Sequence, residues 1–338
     1  VFDGNIPDVK ALAALMQQYP GEDVHFVSGT DDGSKAIALV DADVDPGTFF
    51  LYDKAANAFS PLLQRAKWID PNQLGRAEPF TFKTRDGLPE QGYVTYPPGK
   101  DAAKNLPVVV FVHGGPYGIR DGWEYDPYLQ AMATRGYAVL QVNYRGSGGY
   151  GFDFEQAGWH QWGGKMQDDV TDATRWAITQ GIADPHRICI YGGSYGGYAA
   201  LEGAVSVPDL YKCAIGYVGV YNLPNMLARR DAAQTLYSES YWKRTVGTDE
   251  TTLAQHSPVY QLNNLKAKVM LVVGGRDTIV LPSQGQEMHM AMLKGKIPHE
   301  WLYKPDEWHG FYDEKNIAEL FEKVDAFLDA NIGAGAAH

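Results

Sequence analysis

The chain has 338 residues, of which 45% are hydrophobic, 12% aromatic and 21% charged, with 37 Gly and 19 Pro. That apolar content can bury enough surface to offset chain entropy, which excludes a largely disordered chain, and the Gly and Pro show no collagen-like period. The formal net charge of −12 argues against a phosphate-backbone partner, because nucleic-acid binders need a basic face. The length fits one large domain, or a large one and a small one. From its N-terminal end, the chain first shows helical spacing over 9–18. Short β-type runs at 23–27, 35–40 and 48–52 follow, separated by turn signals such as Asp45-Pro-Gly47. This predicts two or three antiparallel strands, too few to be stable alone, and reads as one blade of a larger all-β structure lying upstream.

From about residue 106 the pattern changes. Continuous apolar runs at 106–112, 137–142, 187–191, 213–218 and 268–273 are expected for strands buried on both faces of a parallel sheet. A shorter strand-like run occupies 300–303. Between them, Met166, Val170, Ala173 and Ala177 fall on one helix face, and 317–328 forms a second amphipathic helix. Alternating strands and helices over this length predict a doubly wound α/β sheet. Cys189 and Cys213 each sit inside an apolar run and are expected to be two buried, inert thiols. No run of 18 apolar residues is present, so no membrane span is expected. No signal peptide is seen at Val1, where the chain reads as mid-protein, and no compartment is assigned.

The chemistry concentrates at Gly192-Gly-Ser-Tyr-Gly-Gly197, directly after one predicted strand and before a helical run. G-x-S-x-G alone recurs by chance as a Gly-rich turn. In a strand–turn–helix setting it is the nucleophile elbow, which places Ser194 on a strained turn at a helix N-terminus. Its glycines are expected because side chains two positions either side of Ser194 would clash with neighbouring backbone. An elbow implies an acid and then a histidine downstream. Asp277 follows the run 268–273, and His309 follows the run 300–303. Asp306 competes as the acid but lies three residues before His309, too local for the usual arrangement; His299 opens the last strand at the wrong end, and His338 is in a Gly/Ala tail. Ser194 is thus expected to attack, His309 to shuttle the proton and Asp277 to hold the imidazole. The oxyanion donors are expected to be the N–H groups of Tyr195 and of Gly115, in the loop His113-Gly-Gly-Pro116.

Other chemistries lack support. Gly164-Lys165 has no phosphate-loop spacing, no dinucleotide glycine fingerprint follows the first α/β strand, and no H-E-x-x-H or C-x-x-C suggests a metal. No cofactor is expected. Trp159, Trp162 and Trp242 are read as packing residues.

Taken together, His113-Gly-Gly-Pro116, Asn143-Tyr-Arg-Gly-Ser-Gly-Gly-Tyr-Gly151, Gly192–Gly197 with Tyr198, Gly275-Arg-Asp277 and Trp308-His-Gly310 resemble the prolyl oligopeptidase family of serine peptidases. The similarity is greatest to its acylaminoacyl-peptidase-like branch and spans roughly residues 80 to 332. The resemblance implies an α/β-hydrolase catalytic domain over 81–338, with residues 1–80 as the last blade of a β-propeller and its linker. It also implies cleavage of short peptides, with Val220, Leu223, Met226 and Val280 lining an apolar pocket for the side chain before the scissile bond. Dipeptidyl peptidase and oligopeptidase modes stay open, as does a carboxylesterase acting on non-peptide esters. Two positions depart from the family pattern. His113 stands where several members carry an oxyanion-hole Tyr, and Ile279 where several carry a substrate-anchoring Arg or Asn. The expected partners are short peptides and the upstream propeller, and a homo-oligomer stays open.

Overall fold

The structure, a computed structural model, describes residues 7–228 and 236–334; His338 lies outside the described residues. The first part of the chain is helix α1 (Pro7–Gln18) followed by strands β1 (Asp23–Gly29), β2 (Lys35–Ala42), β3 (Asp45–Asp53) and β4 (Ala58–Gln64). These strands pair in sequence order, all antiparallel. β4 is an element the periodicity did not reveal, because most of its residues are exposed and it shows no apolar alternation. α1 covers one face of this sheet, with Leu15 buried against Val24, Ala38, Val40 and Phe50.

The second sheet has eight strands in the order β12-β11-β10-β9-β7-β8-β6-β5. Its antiparallel edge is the hairpin β5 (Ala77–Lys83) and β6 (Pro89–Thr95), which the sequence reading did not assign. The rest runs parallel: β7 (Leu106–Val112), β8 (Ala138–Asn143), β9 (Ala183–Gly193), β10 (Cys213–Tyr217), β11 (Lys268–Gly274) and β12 (His299–Lys304). The intervening helices are α2 (Pro127–Ala133), α3 (Phe152–Gln156), α4 (Lys165–Thr179), α5 (Tyr195–Ser206), α6 (Leu223–Ala228), α7 (Leu236–Thr245), α8 (Glu250–Gln255) and α9 (Pro282–Lys294), with α10 (Glu314–Ile332) closing the chain. Among the described residues, no helix is long and apolar enough to cross a membrane.

The apolar runs are continuous because alternate residues face two different cores. Val108, Val110 and Val112 of β7 meet α4 and α5 residues such as Val170 and Leu201 on one face. Val109, between them, joins Leu129 of α2 and Leu320, Val324 and Phe327 of α10 on the other. The two sheets are tied by Gln130 of α2, whose amide donates to the carbonyls of Asp43 and Gly75 and accepts from the Gly75 N–H.

One expectation is corrected here. Cys189 and Cys213 are not separate thiols: they form a disulfide between β9 and β10. The parallel register pairs these two residues directly, with Cα atoms 4.6 Å apart. Strand pairing over a helical crossover is invisible in the spacing of two cysteines along the chain.

Candidate active site

β9 ends at Gly193 and α5 begins at Tyr195, so Ser194 is the single residue between strand and helix. It takes φ 58° and ψ −120°, a conformation strained for any residue bearing a side chain. Its N–H donates to the Tyr217 carbonyl at 2.9 Å, and its own carbonyl accepts the Tyr198 N–H, so both neighbours hold the turn. Gly192 and Gly196 answer to close approach. A Cβ at Gly192 would lie 2.5 Å from the Val112 carbonyl oxygen, and one at Gly196 would lie 1.9 Å from it. The turn at Ser194 is therefore pressed against β7.

The remaining residues lie at the same, C-terminal, end of the parallel strands. After β11, the buried Asp277 accepts the N–H groups of Ile279 and Val280 on one carboxylate oxygen, at 2.8 and 2.9 Å. Its other oxygen lies 2.7 Å from Nδ1 of His309, which follows β12. The His309 side chain keeps 23% of its surface accessible while that of Asp277 keeps 1%. The imidazole is thus anchored from within and open outward. Asp306 lies in the same loop but pairs outward with Arg276.

Two devices hold the loop bearing His309. The Arg276 N–H donates to the Glu307 carbonyl at 2.7 Å. The buried Glu307 carboxylate accepts the N–H groups of Tyr312 and Asp313 and the Asn316 amide. Glu307 was not singled out from sequence, since a single acid beside Trp308 and His309 carries no spacing signal.

The loop after β7 brings His113, Gly114 and Gly115 beside Ser194. Gly115 adopts φ 113°, which side-chain-bearing residues rarely reach, and borders a cavity with Ser194 and Tyr195. As the first residue of α5, Tyr195 has an N–H without an intrahelical partner. His113 is buried and stacked on Tyr144, and its Nε2 lies 2.9 Å from the Ser147 hydroxyl. Burial pushes its pKa down to about 4, so it is neutral at ordinary pH and acts as a hydrogen-bonding strut for the loop.

The cavity at Ser194, of about 40 Å³, also contains Val220, Met226 and Val280. Leu223 is not on its wall: it is fully buried, and its N–H donates to Ser257. Trp162, Trp242 and Ile279 are there instead. The two tryptophans, read from sequence as packing residues, serve packing and cavity wall at once, with rings in edge contact 6.2 Å apart.

A serine at a strand–turn–helix junction, with an Asp–His pair beyond later strands of a mostly parallel sheet, is the arrangement that defines serine hydrolases of the α/β type. Sequence comparison narrows the class: the profile of the prolyl oligopeptidase family matches residues 123–335, and the chain belongs to that family. It is 32% identical over 341 residues to dipeptidyl aminopeptidase BIII of Pseudoxanthomonas mexicana, covering 98% of this chain and 49% of that protein. It is 26% identical over 361 residues to the acylamino-acid-releasing enzyme of Mus musculus, with 99% and 49% covered. The structure of a Mycobacterium tuberculosis puromycin-hydrolyzing peptidase superposes with a TM-score of 0.82 at 28% identity, over 90% of this chain and 47% of that one. The chain spans about half the length of these relatives.

Proposed function

We propose that this chain is the catalytic part of a serine peptidase that hydrolyses short peptides through an acyl-enzyme on Ser194. The observation that carries the reading is the pairing of a strained, junction-placed Ser194 with the 2.7 Å Asp277–His309 contact. His309 takes the Ser194 proton as Oγ attacks the substrate carbonyl, and the N–H groups of Gly115 and Tyr195 stabilise the oxyanion. The C–N bond breaks as His309 returns the proton to the departing amine. Water, deprotonated by His309, then releases the acyl group as a carboxylic acid. Asp277 holds the imidazole tautomer and its cation. The apolar cavity of Val220, Met226, Val280 and the two tryptophans receives the side chain before the scissile bond. Relatives named as a dipeptidyl aminopeptidase, an acylamino-acid-releasing enzyme and a puromycin-hydrolyzing peptidase support amide-bond hydrolysis near a chain end. In this reading residues 1–80 are the last blade of a propeller and its linker, and 81–338 the α/β-hydrolase domain. A four-stranded antiparallel sheet ending at Gln64 supports such a division, with its boundary before Ala77 rather than at 80, because β5 already pairs in the larger sheet.

The test is a mixed peptide library with free and N-acetylated termini, incubated with the protein and with Ser194→Ala and read by mass spectrometry. Ser194-dependent release of dipeptides assigns a dipeptidyl peptidase, and release of one blocked residue an acylaminoacyl peptidase. The variant loses about 10⁶-fold in kcat if the triad acts as a unit. Cleavage that survives in Ser194→Ala overturns the reading.

A further inference from the structure

His309 borders a different cavity from the one that holds Ser194. That second cavity, of about 410 Å³, runs past His113, Gly114, Gly193 and His309. Gly193 and Gly114 directly precede Ser194 and Gly115, which border the smaller cavity, so the nucleophile stands between the two spaces. This arrangement divides the substrate. The imidazole that takes the serine proton must return it to the departing amine, which therefore lies within hydrogen-bond reach of His309. Whatever that amine carries enters the space His309 borders, while the acyl portion keeps to the other side.

The walls of the larger cavity have a definite chemistry. Phe111, Tyr128, Tyr191, Tyr217, Phe311 and Tyr312 line it. Phe111 meets Tyr191 edge-on at 5.1 Å and Tyr217 meets Phe311 edge-on at 5.4 Å, so the rings brace one another. The acids on the wall are Asp121 and Asp126, whose carboxyls burial pushes up, that of Asp121 to about 8, and among the described residues lining it there is no lysine or arginine to pair with an acidic side chain. Gly193 leaves the space open. Unlike Gly192 and Gly196 it has room for a Cβ, whose nearest neighbour would be the Tyr217 ring at 3.5 Å. The backbone does not require glycine there, and the missing side chain is cavity volume.

We propose that this cavity is a leaving-group subsite that selects an amine bearing a large aromatic side chain, in a peptide an aromatic residue directly after the scissile bond, and disfavours an acidic one. The inference rests on the serine-peptidase reading above. In the step concerned, the Ser194 Oγ–acyl bond forms, the C–N bond breaks, and His309 delivers the proton to the aromatic amine as it leaves.

The experiment uses peptides that share one acyl portion and carry Trp, Phe, Leu, Gly or Glu after the scissile bond, with the methyl ester of the same acyl portion as a substrate lacking that group. For the full chain, kcat/KM for Trp and Phe exceeds that for Gly by about 10- to 100-fold, the worth of burying one aromatic ring, and Glu falls below Gly. Tyr312→Ala, at an exposed wall position, and Gly193→Leu, which fills the floor, each lower the Phe-to-Gly ratio at least about fivefold. Labelling by a fluorophosphonate verifies that each variant is folded with a reactive serine. A flat profile with the methyl ester still turned over overturns this inference alone, as does an aromatic preference that both labelled variants retain. Failure of the unaltered protein to cleave ester and peptides overturns the underlying reading instead.

Discussion

A Cβ placed on Gly196 would lie 1.9 Å from the carbonyl oxygen of Val112, a contact no side chain can make. Strand β7, which leads into the loop of Gly114 and Gly115, and the turn bearing Ser194 are therefore locked together through the absence of one methyl group. Gly193, three residues earlier, has space for the same group.

Gly196→Ala is accordingly expected to force β7 and α5 apart and to cost at least about 1–3 kcal/mol, the usual range for overpacking. Fluorophosphonate labelling should be lost with it. Gly193→Ala should stay within about 0.5 kcal/mol of the parent. Chemical denaturation of the two variants decides the matter, and equal destabilisation would contradict the geometry.

Asp277 and Asp306 offer a second contrast. Asp277 is buried on His309, whereas Asp306 pairs with Arg276 at the surface. Asp277→Asn should lower kcat about 10⁴-fold, since the amide favours the wrong imidazole tautomer. Asp306→Asn should alter it by about fivefold at most, the ceiling for an exposed ion pair. Steady-state kinetics on one peptide substrate test both. A severe loss in Asp306→Asn would reassign the acid.

Away from the reacting atoms, Arg145 donates to both oxygens of the buried Asp169 at 2.7 and 2.8 Å, and its N–H donates to Glu90. Burial, and then the neighbouring Asp169 charge, hold the Glu90 carboxyl well above its ordinary range. The folded chain therefore keeps a proton that the unfolded chain releases above the ordinary glutamate value near 4.5. Folding binds more protons than unfolding in that window, so the contribution of Glu90 to stability falls as pH rises from about 5 towards 9. Glu90→Gln should flatten the decline. Melting temperatures of both proteins across that range provide the check, and parallel curves would refute it.

Much of this molecule is legible along the chain because the signals are local. Runs such as 106–112 and 269–273 carry no charged or polar side chain, as a doubly covered strand requires, and both became interior strands of the larger sheet. Gly192 and Gly196, two positions either side of Ser194, stand out because the backbone beside them leaves no room for a Cβ, and Asp277 and His309 each follow a recognisable strand. β4–β6 escaped notice, since half-exposed edge and hairpin strands lack that continuous apolar run.

What tertiary structure alone decided is whatever depends on register and on the approach of distant segments. Cys189 and Cys213 become one disulfide because β9 and β10 pair in a register that their separate apolar runs do not encode. Leu223 turned away from the cavity while Trp162 and Trp242 closed it, because α6, α7 and the segment before α4 converge there from positions far apart in the chain. The aromatic cavity beside His309 likewise draws its walls from β7, α2, β9, β10 and the last loop. The residues proposed for the reaction stand out one at a time because each follows a recognisable local element. The two cavities beside Ser194 and His309 belong to no single segment and exist only where the segments meet.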